Sequence, residues 1–322
     1  MPADTSKPAQ PVRHEKYERL VESARRLPPT RTAIAHPCDH VSLESAVEAA
    51  KLGLIVPILV GPEDRIRDVA TRHKLDIAGM SIVPALHSHD SAAKAVEQVR
   101  AGTAEALMKG SLHTDELMAA VVSRTDGIRT SRRISHCFVM DVPNHPDALI
   151  ITDAAVNIAP TLDDKVDIIQ NAIDLAHAMH VPEVRVAILS AVETVTSKVP
   201  STLEAAALCK MAERGQITGA PLDGPLAVDN AISPEAAAVK GIVSKVAGHA
   251  NVLVVPDLEA GNMLAKSLSF LAGADAAGIV LGARVPIMLT SRADTLLTRL
   301  ASCAVAALVA DARRKATTVP GD

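Results

Sequence analysis

The sequence VLGARVPIMLTSRAD, residues 280–294, joins the two kinds of pattern that decide the fold class of the chain. Its apolar run, VPIML, is typical of a buried strand and ends in Thr290, Ser291 and Arg292. After Asp294 the pattern TLLTRLASCAVAALVADARR is that of a helix with one apolar face. A strand is therefore followed directly by a helix, and an arginine lies where the two meet.

The same alternation of short apolar runs and amphipathic stretches continues along the chain. Strands are predicted at residues 31–35, 54–60, 81–83, 105–108, 134–142, 148–152, 184–190, 251–255, 277–281 and 286–289. Helices are predicted at residues 14–26, 41–52, 63–74, 90–101, 113–123, 163–180, 201–214, 233–247, 260–271 and 293–313. Strands that alternate with helices form βαβ units, and fully apolar strands such as RVAILS need a cover on both faces. The sequence therefore predicts an α/β fold with largely parallel sheets and helices on both faces.

The composition of the chain excludes several classes of partner. With 322 residues, of which 48% are hydrophobic, the chain can form a large core and two lobes. A net charge of −4 and only three aromatic residues, Tyr17, Phe138 and Phe270, argue against a nucleic-acid partner. No apolar run reaches ~18 residues, so no membrane span is expected. Four scattered cysteines are typical of buried, reduced thiols in a cytoplasmic protein.

The end of the opening stretch has two interpretations. Ser291 is followed three residues later by Asp294, which is the spacing of a capping box at a helix N-terminus. The cap leaves Arg292 unexplained, because a cation in the first turn opposes the helix dipole by ~0.3–1 kcal/mol. A bound phosphate or acyl phosphate would remove that conflict, since helix amides, a hydroxyl and a guanidinium together bind phosphate well.

Two further segments follow predicted strands, where ligands of open α/β sheets bind. Lys109 and Ser111 follow a short strand, and the lysine could bind a phosphate, although the phosphate-loop motif is absent. Asp257, Gly261 and Asn262 follow another strand, and the glycine would allow a close backbone approach to a ligand in the same cleft. A solvated loop and an ordinary capped turn are the alternative interpretations.

Three polar residues near the centre of the chain are weaker candidates. Arg133 precedes the strand ISHCFVMDV, and a solvated side chain is the alternative. Asp153 follows the strand ALIIT and could either face a ligand or cap a turn. His136 lies within a strand and is interpreted as a core histidine with its hydrogen bonds satisfied.

Six segments closely resemble the phosphate acetyl/butyryl transferase family: ISHCFVMDVP, ITDAAVN, ILSAVETV, GPLAVDNAIS, VVPDLEAGNMLAK and LAGADAAGIVLGARVPIMLTSRAD. The likeness runs from about Met108 to Ala310 and is closest to the transferase half of bifunctional enoyl-CoA hydratase/phosphate acetyltransferase proteins. The resemblance implies the reversible reaction of an acyl-CoA with phosphate to give an acyl phosphate and CoA.

The resemblance also implies an architecture similar to that of isocitrate dehydrogenase, with an active-site cleft between two α/β lobes. Residues 1–140 and 291–322 would form the first lobe, and residues 141–290 the second. A homodimer is implied, with no metal and no tightly bound cofactor. CoA, acyl-CoA, phosphate and acyl phosphate would be its small-molecule partners. The sequence leaves open whether a separate enoyl-CoA hydratase associates with it.

Several site residues can be carried over from the resemblance. Ser291 matches the serine that steadies the transition state in the family, and Arg292 matches the arginine that holds the phosphate or acyl phosphate. Thr290 adjoins this pair and is predicted to bind substrate with it. Gly261 and Asn262 match a segment that lines the cleft.

Two positions depart from the acetyl-specific pattern. Thr298 stands where those members place the aspartate that deprotonates the CoA thiol, and a position near Met118 lacks their substrate-binding arginine. The base is therefore left open between Asp294, Asp153 and Asp257. A non-catalytic acyl-CoA-sensing domain and an NAD-dependent dehydrogenase on the related fold are the alternative functions. The preferred acyl chain, acetyl or butyryl, also stays open.

Overall fold

The computed structural model describes residues 15–143, 145–289 and 294–318. Its helices are α1 (Glu15–Arg25), α2 (His40–Lys51), α3 (Glu63–His73), α4 (Ser88–Arg100), α5 (Thr114–Val122), α6 (Leu162–Ala178), α7 (Pro200–Glu213), α8 (Val228–Ile232), α9 (Pro234–Val239), α10 (Leu258–Leu271) and α11 (Leu296–Thr318). Its strands are β1 (Thr30–Ala35), β2 (Ile55–Gly61), β3 (Ser81–Pro84), β4 (Ala106–Lys109), β5 (Ser135–Asp141), β6 (Leu149–Thr152), β7 (Val186–Leu189), β8 (Leu222–Leu226), β9 (Val252–Val254), β10 (Asp275–Leu281) and β11 (Ile287–Met288).

The strands of the described residues form one sheet of mixed direction. Their order is β3-β2-β1-β4-β11-β10-β5-β6-β9-β7-β8. All pairings are parallel except β11 with β10, β10 with β5 and β5 with β6. The parallel block from β3 to β11 therefore runs opposite to the parallel block from β6 to β8, and β10 and β5 join the two.

Helices cover both faces of this sheet, as predicted. One face carries a single core that runs through both parallel blocks and includes Ile34, Ile150 and Ile188, together with buried residues of α2, α6, α7 and α11. The other face carries two separate cores, one under α4 and α5 and one under α8, α9 and α10. Successive residues of one strand, such as Ile150 and Ile151, belong to different cores, which explains why the strands are apolar throughout.

The predicted elements are present, with two corrections. Strand β8, with the sequence LDGPL, is absent from the predicted strands, and its glycine and proline are residues that weaken strands. It lies at the edge of the sheet beside β7, where a proline is tolerated. The helix predicted at 233–247 ends at Val239, and Gly241 follows in a left-handed conformation.

The division into two lobes stays a prediction. Helix α11 packs against α1 and α2, which lie in the first half of the chain, and also against β10, which does not. No helix in the described ranges has the length and apolar character needed to cross a membrane.

A glycine substitution tests the junction between the two blocks. Gly282 has a φ of +86°, and a Cβ atom there would lie 2.3 Å from the carbonyl oxygen of Arg133. Gly273 has a φ of +67° but open space around it. We expect Gly273→Ala to lower the free energy of unfolding by ~1–2 kcal/mol for backbone strain alone. Gly282→Ala should lose a further ~1–3 kcal/mol through steric overlap. Urea unfolding measures both, and equal losses would contradict the close approach.

Candidate active site

The loops after β1 and β4 are tied together by hydrogen bonds. The amide of Gly110 donates to Ala35 O at 2.9 Å, and the amide and hydroxyl of Ser111 both donate to His36 O, at 2.9 and 2.8 Å. A Cβ atom on Gly110 would lie only 2.4 Å from Ala35 O, so no larger residue fits this approach. Lys109 ends β4 and is 5% exposed. The predicted binding residues Lys109 and Ser111 are therefore held at the carboxyl end of β4.

Strand β11, which precedes the serine-arginine pair in the sequence, lies beside β4. Strand β11 is parallel to β4, with Met288 opposite Met108. The chain then passes through residues 290–293, so the predictions for Thr290, Ser291 and Arg292 lie outside the described residues. Because neighbouring strands are ~4.8 Å apart, the carboxyl ends of β4 and β11 lie close to each other.

The start of α11 corrects the capping-box prediction. The helix begins at Leu296, and the amide of Thr298 donates to Thr295 Oγ1 at 3.2 Å. Thr295 therefore occupies the cap position, and Asp294 precedes the helix instead of forming its third residue. The prediction failed because Thr295, four positions after Ser291, also offers a capping hydroxyl.

The start of α11 at Leu296 also affects the interpretation of Arg292 that was based on the helix dipole. That interpretation assumed a helix that starts near residue 292, whereas α11 begins at Leu296, so its premise is removed. Asp294 is partly buried, and its carbonyl oxygen accepts a long hydrogen bond from Arg299 Nε at 3.4 Å. Thr298, which replaces the expected aspartate, has its hydroxyl 3.2 Å from that of Thr295.

Asp153 organises the turn after β6. Its carboxylate accepts hydrogen bonds from the amides of Ala155 and Val156 at 2.9 Å each and from the side chain of Asn157 at 2.6 Å. It also accepts from the amide of His136 at 3.2 Å, and the residue is 3% exposed. These donors fix the turn and engage both carboxylate oxygens, so Asp153 is a structural residue of this loop.

Four further candidate residues lie around this turn: Arg133, Asp257, Gly261 and Asn262. Arg133 Nε donates to Asn157 Oδ1 at 2.7 Å, which links it to Asp153. Asp257 caps α10 by accepting from the amide of Ala260 at 2.8 Å. A Cβ atom on Gly261 would lie 2.9 Å from Asp153 O, and Asn262 Nδ2 donates to Ala154 O at 3.2 Å. The glycine therefore allows a close protein contact here.

The candidate residues thus form two groups at opposite ends of the strands. Lys109 and Ser111 follow strands of one block, and Asp153 and Asp257 follow strands of the other, which runs the opposite way. Three strands lie between β4 and β6, so the two groups are about 19 Å apart across the sheet. Sequence reasoning placed both groups after strands and expected one cleft, but it could not see the reversal of strand direction between them.

His36 is a residue of the first group that sequence reasoning missed. It follows β1, adopts a φ of +58° and is 6% exposed. Its Nδ1 lies 2.9 Å from Ser91 Oγ, and its carbonyl oxygen accepts from Ser111. Burial lowers the pKa of His36, with a further lowering from Arg65. The histidine before a proline in AIAHP was the signal that could have drawn attention to it.

His136 differs from the satisfied core histidine that was predicted. Its ring is buried edge-on against Phe138, with the ring centroids 4.4 Å apart, and its Nδ1 has no hydrogen-bond partner among the described residues. Burial lowers its pKa, and the nearby Asp153 carboxylate only partly offsets this. The ring is therefore neutral in the folded protein at pH 7.

The cysteine side chains are poor nucleophiles. Burial raises the pKa of Cys38 to about 11 and the pKa of Cys137, Cys209 and Cys303 to about 12 each. These thiols stay protonated at pH 7, which disfavours a covalent acyl-cysteine intermediate. Within the described ranges, no three His, Cys, Asp or Glu side chains are grouped as a metal site would require.

Comparisons with known proteins identify the family. The profile of the family described as "Phosphate acetyl/butaryl transferase" matches residues 85–307, well over half of the chain. A phosphate acetyltransferase of Rhizobium meliloti is 67% identical over 309 residues, covering 96% of this chain and 97% of that protein. A phosphate butyryltransferase of Clostridium acetobutylicum is 40% identical over 280 residues, covering 87% and 93%.

The fold agrees with a solved structure. A phosphotransacetylase from Streptococcus pyogenes superimposes with a TM-score of 0.80 at 23% sequence identity, covering 92% of this chain and 99% of that one. The chain belongs to the phosphate acetyl/butyryl transferase family and is a transferase, as the resemblance of its motifs implied.

The buried histidine predicts a pH dependence of stability. Because the pKa of His136 is lowered from its ordinary value of 6.5 only in the folded state, the unfolded state binds the proton first as the pH falls. The free energy of unfolding should therefore decrease below pH 6.5, by up to about 1.4 kcal/mol per pH unit. We expect His136→Gln to remove this part of the slope in urea unfolding between pH 7 and 5. The exposed-residue control His180→Asn should keep it, and an unchanged slope in His136→Gln would rule out this assignment.

Proposed function

We propose that the protein transfers a short acyl group between CoA and inorganic phosphate. The observation that carries the proposal is the parallel pairing of β11 with β4, which puts the end of β11, two residues before the sequence TSRAD, beside the strand that ends in the buried Lys109. The naming of the 67% identical relative as a phosphate acetyltransferase supports the same reaction.

The proposed reaction proceeds by direct attack. A phosphate oxygen forms a bond to the thioester carbonyl carbon, the C–S bond breaks, and CoA leaves as a thiolate that takes up a proton. Arg292 and Lys109 would hold the phosphate, since both present positive charge to an anion. Ser291 would donate a hydrogen bond to the carbonyl oxygen as it becomes negative. In the reverse direction, the CoA thiol attacks the acyl phosphate.

A carboxylate is the proposed base for the CoA thiol. A thiol with a pKa near ~8.5 is only a few per cent ionised at pH 7, and a positioned base contributes roughly 10²–10⁴-fold. Asp153 binds backbone amides and Asp257 caps α10. Asp294 stands before α11 in the same segment as Ser291 and Arg292, so we assign this role to it.

The two departures from the acetyl-specific pattern do not settle the acyl chain. The relative with 67% identity is a phosphate acetyltransferase, while the butyryltransferase relative is 40% identical. Acetyl-CoA is therefore the proposed preferred substrate. A pocket distinguishes chains by only ~1–3 kcal/mol per methylene, so propionyl- and butyryl-CoA are expected to react more slowly but measurably.

The assembly and surroundings of the enzyme are also proposed. We propose two lobes, residues 1–140 with 291–322 and residues 141–290, a homodimer, and a cytoplasmic location. The thiol state of all four cysteines supports a reducing compartment. Subunit contact is supported by α10, which exposes Met263, Phe270 and Leu271 by 63%, 82% and 86%. Apolar side chains this exposed on one helix are typical of interaction surfaces.

Substitution of Arg292 tests the reaction. Thiol release from acetyl-, propionyl- and butyryl-CoA should require inorganic phosphate in the unaltered protein. Arg292→Ala should lower kcat/KM by roughly 10²–10³-fold, because the proposed charge contact to the phosphate is lost. Arg292→Lys should recover part of the rate, since it restores the charge but not the planar fork.

The control for this assay is Arg72→Gln, which removes an exposed arginine that pairs with Asp68 on α3. It should retain full activity. If the unaltered protein binds acyl-CoA but releases no thiol with any chain, the transferase proposal fails and an acyl-CoA-sensing role replaces it.

Sedimentation velocity tests the proposed dimer. The 33.6 kDa chain should sediment as a single species of twice that mass. Phe270→Glu should shift it toward the monomer, because a charge in a buried apolar contact is costly. A monomeric unaltered protein at micromolar concentration would refute the proposal. Glu213→Gln, an exposed change at the end of α7, is the matched control.

A further inference from the structure

A strongly basic pocket of about 780 Å³ lies on the described surface, away from both groups of candidate residues. Four of its lining residues are arginines, Arg100, Arg124, Arg129 and Arg284, against one acidic residue, Glu97. Its volume is within the ~300–1,000 Å³ typical of small-molecule sites. Most of its lining residues are polar or charged, which favours a charged ligand over an apolar one.

The fold brings these arginines together from separate parts of the sequence. Arg100 is the last residue of α4, and Arg124 lies just after the end of α5. Arg129 forms a backbone bridge with Ala283, and the amide of Arg284 donates to Ile128 O at 2.9 Å. The last two arginines are therefore presented side by side on paired extended segments.

The segment from Arg124 to Arg129 forms a turn that is held by hydrogen bonds. The amide of Ile128 donates to Val121 O at 3.0 Å, and the amide of Asp126 donates to Ser123 Oγ at 3.2 Å. A Cβ atom on Gly127 would lie 2.4 Å from Ser123 O, so the turn requires glycine. The pocket is thus formed by ordered backbone, which limits the entropy lost when a ligand binds.

The charges of the pocket are not balanced by the protein. Arg100 pairs with Asp126 at 3.0 Å. In the described part of the chain, Arg124, Arg129 and Arg284 have no carboxylate within 4.0 Å. Cations near helix C-termini are favourable, which accounts for Arg100 and Arg124. The helix dipole does not account for Arg129 and Arg284, which lie on the paired extended segments.

We propose that this pocket binds a small molecule that carries at least two phosphate groups. Guanidinium groups bind phosphate oxygens in pairs, and several of them facing one cavity favour a multiply charged anion. The pocket lies toward the amino end of β4, whereas Lys109 ends that strand at its carboxyl end. It is therefore separate from the proposed site of acyl transfer.

Two sources could supply such a ligand. One is the nucleotide end of CoA, an assignment that also rests on the proposed function. The other is a separate phosphorylated metabolite that regulates the enzyme. Both present clustered phosphates, and the two differ in their effect on the kinetics of CoA substrates.

Calorimetric titration of the full-length chain tests the proposal. Arg292→Ala serves as the parent, so that binding at the proposed transfer site does not contribute. We expect inorganic tripolyphosphate or adenosine 3′,5′-bisphosphate to bind the parent, and Arg124→Gln with Arg129→Gln to weaken binding by roughly tenfold per arginine. Arg72→Gln should leave the affinity unchanged. Arg284→Gln alone is the second test if the double variant unfolds at a lower temperature than its parent.

Kinetics of the chain with Arg292 intact distinguish the sources. If the double variant raises the KM for acetyl-CoA roughly a hundredfold, tenfold per arginine, with kcat unchanged, the ligand is the nucleotide end of CoA. If the KM is unchanged while tripolyphosphate binding is lost, the ligand is a separate metabolite. If neither probe binds the parent, or both bind the arginine variants equally well, the proposal is overturned. The titration does not depend on thiol release, so it decides this proposal even if the transferase proposal fails.

Discussion

The antiparallel pairing of β10 with β5 is the constraint on which the rest of the structure depends. Seven consecutive residue pairs, from Asp275 opposite Asp141 to Leu281 opposite Ser135, join two parallel blocks that run in opposite directions. Each block on its own would expose an unpaired strand edge. Their union gives one continuous sheet, and the direction of each block then decides where its loops lie.

Packing follows from this junction. On one face, a single core extends across both blocks, and α11 contacts β10 and β11 there. On the other face, α4 and α5 cover one block and α8 to α10 cover the other, with separate cores. Movement of one block against the other would therefore disturb the shared core most, while the separate cores could each stay intact.

Charged groups are used in two different ways in this fold. Asp153 and Arg133 are engaged by backbone and side-chain partners, and their main role in the structure is to hold two loops together. The arginines of the basic pocket lie on ordered backbone but mostly lack carboxylate partners. A charge that is fully paired stabilises the protein locally, whereas a cluster of like charges is stabilised by an anion. Burial raises the pKa of all four cysteine thiols, so they stay protonated at pH 7.

The sequence by itself determined the elements and the family. Hydrophobic periodicity located most strands and most helices, because the spacing of apolar residues along the chain reflects burial on one or two faces. The motif around Ser291 and Arg292 predicted a phosphate-binding site, because a hydroxyl and a guanidinium adjacent in the sequence suit a phosphate. Only the tertiary structure decided that Lys109 and Asp153 lie at opposite strand ends, that LDGPL is an edge strand, and that four distant arginines share one pocket. These features depend on strand direction and long-range pairing, which no local pattern encodes.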